Sequence, residues 1–348
     1  MCNHGYLGVE FFLVLSGFVM GYAYDDRWNS MGFVGFAKRR LVRMHPLILW
    51  AALLGMMMFY YTGGPSSNMV DDIPWWLLLV HGLITLFLIP IPSSVDIRGW
   101  GEINSINGPV WTLMYEYVAN LLYAFVLRFL PKWLLAICLL AGLVCVADLT
   151  FNLNLFGIIG TRGYEYSMIG GFYFNGSHVY VAFVRTLCPF LIGLMLSRCG
   201  WKLAVGQGFW VAAIGLFALL MLPYLGKTDF RIVDGIYQFV CIALLFPLLL
   251  MMGAGSTIKG GCFSHKFCRF LGDISYPIYL TNYPFAYLER SWVETHPDAP
   301  LGTRVVVFIA TFLMILFAAW AVYRLYDLPV RTWLRNHWLQ RGTNPNSQ

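Results

Sequence analysis

Charge is scarce in this chain. Of its 348 residues only 11% are Asp, Glu, Lys or Arg, against about 25% in a soluble domain. Paired cysteines are missing too. The eight cysteines contain no C-x-x-C, so neither a disulfide framework nor a zinc knuckle is expected. Cys138, Cys145, Cys188 and Cys241 fall inside apolar runs, where a small apolar filler is the ordinary role; Cys262 and Cys268 flank a basic stretch. The seven histidines are scattered without metal-ligand spacing, so no metal site and no permanently bound cofactor are expected. The start lacks the basic n-region of a signal peptide, since Met1 to His4 holds no Lys or Arg.

What is abundant is apolar. Hydrophobic residues make up 59% of the chain and mean hydropathy is +0.66. The class is therefore all-α, a polytopic integral membrane bundle with the lipid bilayer as its solvent. No hydrophilic block is long enough for a second domain, so a single membrane domain is expected over 1–340, with a disordered polar tail at 341–348. The net charge of +6 is accounted for by basic cytoplasmic loops and calls for no nucleic acid.

Runs of about twenty apolar residues read as spans. They lie at 6–24, 41–61, 111–130, 133–149, 179–197, 205–225, 234–253, 271–289 and 303–324, nine in all. Lys38, Arg39, Arg40 and Arg43 follow the first, so that loop is expected inside the cell. The shorter run from Trp75 to Pro90 decides the remaining orientation. If it crosses, Arg128/Lys132, Arg198/Lys202, Lys259/Lys266/Arg269 and Arg331/Arg335/Arg341 all fall outside; if it does not, all fall inside. The second arrangement obeys the charge bias, so 75–110 is expected to be re-entrant or interfacial and covered by protein or a cavity. The outer loop at 150–178 carries Asn152, Asn154, Arg162, Tyr164, Glu165, Tyr166, Tyr173, Asn175 and His178. Such rings and amides suit a carbohydrate surface, and an interfacial aromatic belt accounts for them equally well.

Three stretches concentrate polar groups inside the apolar sequence. Asn107-Gly-Pro-Val-Trp111-Thr-Leu-Met-Tyr115-Glu116 puts a carboxylate into a helix that Pro109 starts. An acidic residue at a membrane helix centre costs roughly 2.5–3.5 kcal/mol, which makes Glu116 a functional candidate. A structural pairing with an Arg is the alternative. Arg39, Arg40 and Arg43 share a helical face at spacings of three and four; paired guanidinium forks at a cytoplasmic surface suit a phosphorylated ligand such as a nucleotide or coenzyme A. Anchoring to lipid headgroups also explains them. Leu271-Gly-Asp-Ile-Ser275-Tyr276-Pro277-Ile-Tyr279-Leu-Thr-Asn282-Tyr283-Pro284 is too polar to face lipid and should look inward.

Taken in order, Gly5-Tyr-Leu-Gly8-Val-Glu10-Phe-Phe12 with Ser16-Gly17-Phe18, then Arg40-x-x-Arg43-x-x-Pro46, then Asn107-Gly-Pro-x-Trp111-Thr-Leu-x-x-Glu116, then Leu271-Gly-x-x-Ser275-Tyr276-Pro277-x-Tyr279-Leu280 resemble the bacterial membrane O-acyltransferases called acyltransferase family 3. The resemblance covers essentially the whole chain. It implies transfer of an acyl group, acetyl above all, from cytoplasmic acyl-CoA as co-substrate to a hydroxyl of a cell-surface carbohydrate, in the inner (cytoplasmic) membrane. It associates Arg40 and Arg43, with Arg39 beside them, with the donor. It puts Glu116 in a catalytic signature, with Asn107, Trp111, Tyr115, Tyr276, Tyr279 and Asn282 shaping the substrate pocket. Two departures stand out. The family begins with a further helix bearing an Arg and a His; this chain starts after it, which leads to the expectation of a shortened, poorly active polypeptide. Glu116 is then the remaining catalytic group, with His4 as a second candidate base reaching in from the outer loop. The family also often has His where this chain has Asn282. The rival classes are a transporter or flippase for a polar or glycosylated solute and a truncated, inactive acyltransferase.

Overall fold

The structure, a computed structural model, describes residues 4–161, 163–225, 231–256 and 262–339. Arg162, Lys259, Arg341 and the 341–348 tail lie outside the described residues, as does the side chain of Cys262. Among the described residues the fold is helical without strands. The helices are α1 (Gly8–Tyr24), α2 (Trp28–Met58), α3 (Trp75–Leu86), α4 (Val110–Phe125), α5 (Lys132–Thr150), α6 (Gly176–Cys199), α7 (Gly208–Met221), α8 (Arg231–Val240), α9 (Phe246–Gly255), α10 (Cys262–Thr295), α11 (Leu301–Val322) and α12 (Leu328–Leu334). Single π turns join α8 to α9 and α11 to α12. Seven helical stretches among the described residues are long and apolar enough to cross a membrane, as expected of a polytopic bundle. The span expected at 205–225 is the 14-residue α7. The one expected at 271–289 is the middle of the 34-residue α10.

Packing divides the chain into two compact units, each made of two stretches. The first takes Met1–Asn29 and Met114–His265; the second takes Ser30–Leu113 and Lys266–Gln348.

In the first unit α6 is the most enclosed of the long apolar helices. Its ends are set locally. Asn175 caps the start by accepting from the His178 N–H at 2.9 Å, and Gly200 closes the other end at φ 66°. Helix α1 lies directly on it. A Cβ on Gly193 would sit 1.9 Å from the Val14 carbonyl oxygen, and one on Gly17 2.0 Å from that of Phe190. Only glycine permits this backbone approach, as in other small-residue membrane crossings. Val14, Val146, Leu149, Val181, Cys188 and Phe246 fill the core around the pair.

In the second unit α2 is broken at Gly32 (φ 65°) and then runs on through Pro46. Helix α3 has 12 residues. At 1.5 Å per residue it reaches about 18 Å, short of the ~30 Å hydrocarbon core. The chain after it turns back. Ile97 and Ile106 pack with Phe59, Val70 and Leu78, so the segment returns to the end of α2 beside which α3 began. The backbone thus folds back after α3 within the second unit. Protein covers it: Arg98, Asn104, Ser105 and Asn107 are all buried.

Candidate functional site

In the second unit the 87–109 loop is held by its own charged side chains. The Asp96 carboxylate accepts from the backbone N–H of Arg98, Trp100 and Gly101 at 3.2, 2.6 and 2.7 Å. Arg98 Nε donates to the Ser105 carbonyl at 2.6 Å and Nη1 to Thr62 Oγ1 at 2.7 Å. Its guanidinium lies 4.7 Å from the Phe59 ring centre and 4.5 Å from that of Tyr287, in the range of cation–π attraction. A loop at membrane depth has no helical partners for its backbone, and these two side chains supply them.

The same loop places Asn107. Its backbone N–H donates to Asn104 Oδ1 at 2.9 Å and its Nδ2 to the Leu280 carbonyl of α10 at 2.8 Å. Asn107 Oδ1 is buried and has no hydrogen-bond partner among the described residues; the same holds for Asn282 Oδ1. Tyr279 joins the turn before α4, its hydroxyl 2.7 Å from Thr112 Oγ1, and Thr112 donates to the Pro109 carbonyl. Trp111 and the hydroxyl of Tyr276 are buried. Of the pocket residues expected from the sequence, Asn107 and Tyr279 are thus brought to one α4–α10 junction, with Tyr276 and Asn282 on the same α10. On α2 the arginines differ. Arg40 is 4% exposed, while Arg39 and Arg43 are exposed.

Glu102 sits at this junction and was not singled out in the sequence. Its Oε2 is enclosed and lacks a hydrogen-bond partner among the described residues. A Cβ on Gly108 would lie 3.1 Å from that oxygen and 2.7 Å from the Tyr287 hydroxyl, and the Gly108 N–H donates to that hydroxyl at 3.1 Å. The signal available in the sequence was Asp96-x-Arg98-x-x-x-Glu102, three charges in an otherwise apolar segment.

In the first unit Glu116 is 5% exposed and accepts from Ser16 Oγ at 3.2 Å. Tyr115 packs edge-on against Phe183 at 5.3 Å. His4 is fully buried, with Nδ1 donating to the Leu222 carbonyl at 2.9 Å. Tyr224 and Tyr237 stand against its ring, each at 4.8 Å between centres. His4 is therefore held in an aromatic cage rather than in an open outer loop. The sequence also passed over Arg185 on α6. It pairs with Glu10 at 2.5 Å and donates to the carbonyls of Gly170 and Tyr6. Among the described residues no three His, Cys, Asp or Glu side chains gather as metal ligands.

Comparison with known proteins adds what this geometry leaves open. The pattern of a family described as an acyltransferase domain, acyltransferase family 3, matches residues 3–324. The chain belongs to this family. Acyltransferase family 3 proteins are membrane acyltransferases, and the helical fold above is that of a multi-pass membrane enzyme. Two curated proteins are similar. One is "Exopolysaccharide production protein ExoZ" of Rhizobium meliloti (strain 1021), 28% identical over 335 residues, covering 94% of this chain and 89% of that protein. The other is "Protein 2 in picA locus" of Rhizobium radiobacter, 33% identical over 130 residues, covering 34% of this chain and 64% of that protein; the matched stretch thus spans less than two thirds of that relative. No solved structure matches the chain.

Proposed function

We propose that this acyltransferase moves an acyl group, acetyl in the first instance, from cytoplasmic acyl-CoA to a hydroxyl of a cell-surface carbohydrate, in the inner membrane of a bacterium. The observation that carries the acceptor class is the likeness to ExoZ along nearly the whole chain, since that protein's name places it in exopolysaccharide production. The donor rests on α2. Arg40 is enclosed, with Arg39 and Arg43 exposed beside it, and guanidinium forks on one helix suit the phosphates of a coenzyme. The orphaned Asn107 and Asn282 oxygens are acceptors that the hydroxyls of a sugar would satisfy.

The chemistry asks for two things. A base takes the hydroxyl proton as oxygen attacks the thioester carbon, and donors stabilise the tetrahedral oxyanion. Glu116, buried and hydrogen-bonded to Ser16, is the carboxylate the reading assigns to that proton path. His4, caged by tyrosines, is the second candidate and needs its cage to open. A flippase gains no observation of its own from the fold.

The test uses the purified protein in nanodiscs with radiolabelled acetyl-CoA and an exopolysaccharide acceptor. Labelled polymer and released thiol are expected in equal amounts. Replacing both Arg40 and Arg43 by Ala is expected to weaken acetyl-CoA binding more than tenfold, because charge-assisted hydrogen bonds are worth about 1.5–3 kcal/mol each. Unchanged donor affinity returns the arginines to lipid anchoring. Thiol release without labelled polymer removes the carbohydrate acceptor.

A further inference from the structure

A second basic feature lies in the second unit, between α10 and the end of α11. It is a cavity of about 280 Å³ lined by Lys266, Arg269 and Asp273 from α10 and by Trp320, Tyr323 and Arg324 from the other side. Lys266 and Arg269 are three apart and share a face of α10. None of the three cations makes a side-chain hydrogen bond or ion pair among the described residues. The one carboxylate in the lining, Asp273, accepts from the Tyr323 hydroxyl at 2.9 Å. The neighbouring Asp327, outside the lining, is paired with Arg331 on its own helix. Three cationic side chains thus face one concave space that holds a single carboxylate. Anionic oxygens are the chemistry they fit, and Trp320, Tyr323 and Phe270 give the same space an apolar, aromatic wall.

We propose that this cavity is a binding site for a phosphate-bearing ligand, its phosphoryl oxygens held by Lys266, Arg269 and Arg324 and its less polar part laid against Trp320 and Tyr323. Two sources carry that chemistry. One is the headgroup of an anionic phospholipid of the surrounding leaflet. The other is a soluble phosphorylated co-substrate, and only this source rests on the donor proposed above. A point-charge Lys beside two planar Arg forks suits a phosphate better than a carboxylate, because phosphate offers three or more acceptor oxygens in different directions. The cations are exposed to solvent or headgroups, so binding is expected to weaken with salt.

The experiment has two arms, run on the full chain and on the triple variant Lys266→Gln, Arg269→Gln, Arg324→Gln. Lys132→Gln, an exposed cation elsewhere, controls for net charge. In the first arm adenosine 3′,5′-bisphosphate is titrated into protein in phosphatidylcholine nanodiscs. In the second, native mass spectrometry counts phosphatidylglycerol retained from mixed phosphatidylglycerol and phosphatidylcholine micelles. A loss of about tenfold or more in the first arm, absent from Lys132→Gln, assigns the site to a soluble phosphorylated ligand. The same loss in the second arm assigns it to a lipid headgroup. No loss in either arm, with unchanged thermal unfolding, overturns the site. If the triple variant does not fold, Arg324→Gln alone is read in the same two arms. Binding that persists in a protein showing no acyl transfer leaves this site standing and counts against the donor reading alone.

Discussion

The helices of the first unit and the 87–109 loop of the second use their buried charges differently. In the first unit charged side chains answer one another across helices: Glu10 with Arg185, and Asp25 with Arg198 at 2.8 Å and with the Tyr123 hydroxyl at 2.7 Å. In the 87–109 loop of the second unit they answer the backbone: Asp96 holds three N–H groups, and Arg98 a carbonyl and a hydroxyl; Asp327 of that unit pairs with Arg331 along its own helix. The cause is the backbone itself. Helices satisfy their own peptide groups, so a charge within them needs a side-chain partner. The 87–109 loop of the second unit cannot satisfy its peptides, so its charges are spent on them. Among the described residues, the buried oxygens left over near that loop include Glu102 Oε2 and the Asn107 and Asn282 oxygens.

The largest effect is expected where a pair is split. Arg185→Met leaves Glu10 buried without its cation and should cost about 3–5 kcal/mol, read as a fall in thermal unfolding temperature in detergent. Adding Glu10→Gln should recover much of it. An equal loss in single and double variants breaks the idea that the two charges serve each other.

Next comes Gly193→Ala, whose added methyl would lie 1.9 Å from the Val14 carbonyl. Forced separation of α1 and α6 should cost about 2–3 kcal/mol. Gly108→Ala, which meets the Tyr287 hydroxyl and Glu102, should cost less in stability. A larger loss for Gly108→Ala than for Gly193→Ala would mean the tighter backbone contact is in the second unit.

Much of this was legible beforehand. The apolar runs marked the long helices. Glu116 was visible because a carboxylate among leucines is conspicuous. Its Ser16 partner was not, since it lies 100 residues away. Arg185 was hidden inside a strong apolar run, and its partner is 175 residues distant. Glu102 escaped because the 87–109 loop has no period to separate inward from outward positions. His4 could be seen but not its surroundings, because its cage comes from Tyr224 and Tyr237.

The sequence by itself determined the helical membrane class, seven of the nine expected spans and the short α3, because those follow from hydrophobic length and from peptide groups that must be satisfied within their own segment. The order of its motifs also carried the acyltransferase resemblance. Only the tertiary structure decided which polar atom meets which, closing Glu10 on Arg185, leaving Glu102 Oε2 without a partner among the described residues and gathering Lys266, Arg269 and Arg324 around one cavity. Those outcomes depend on how each helix is rotated and crossed against its neighbours, a matter of packing at distances of a few ångströms that no local pattern of residues encodes.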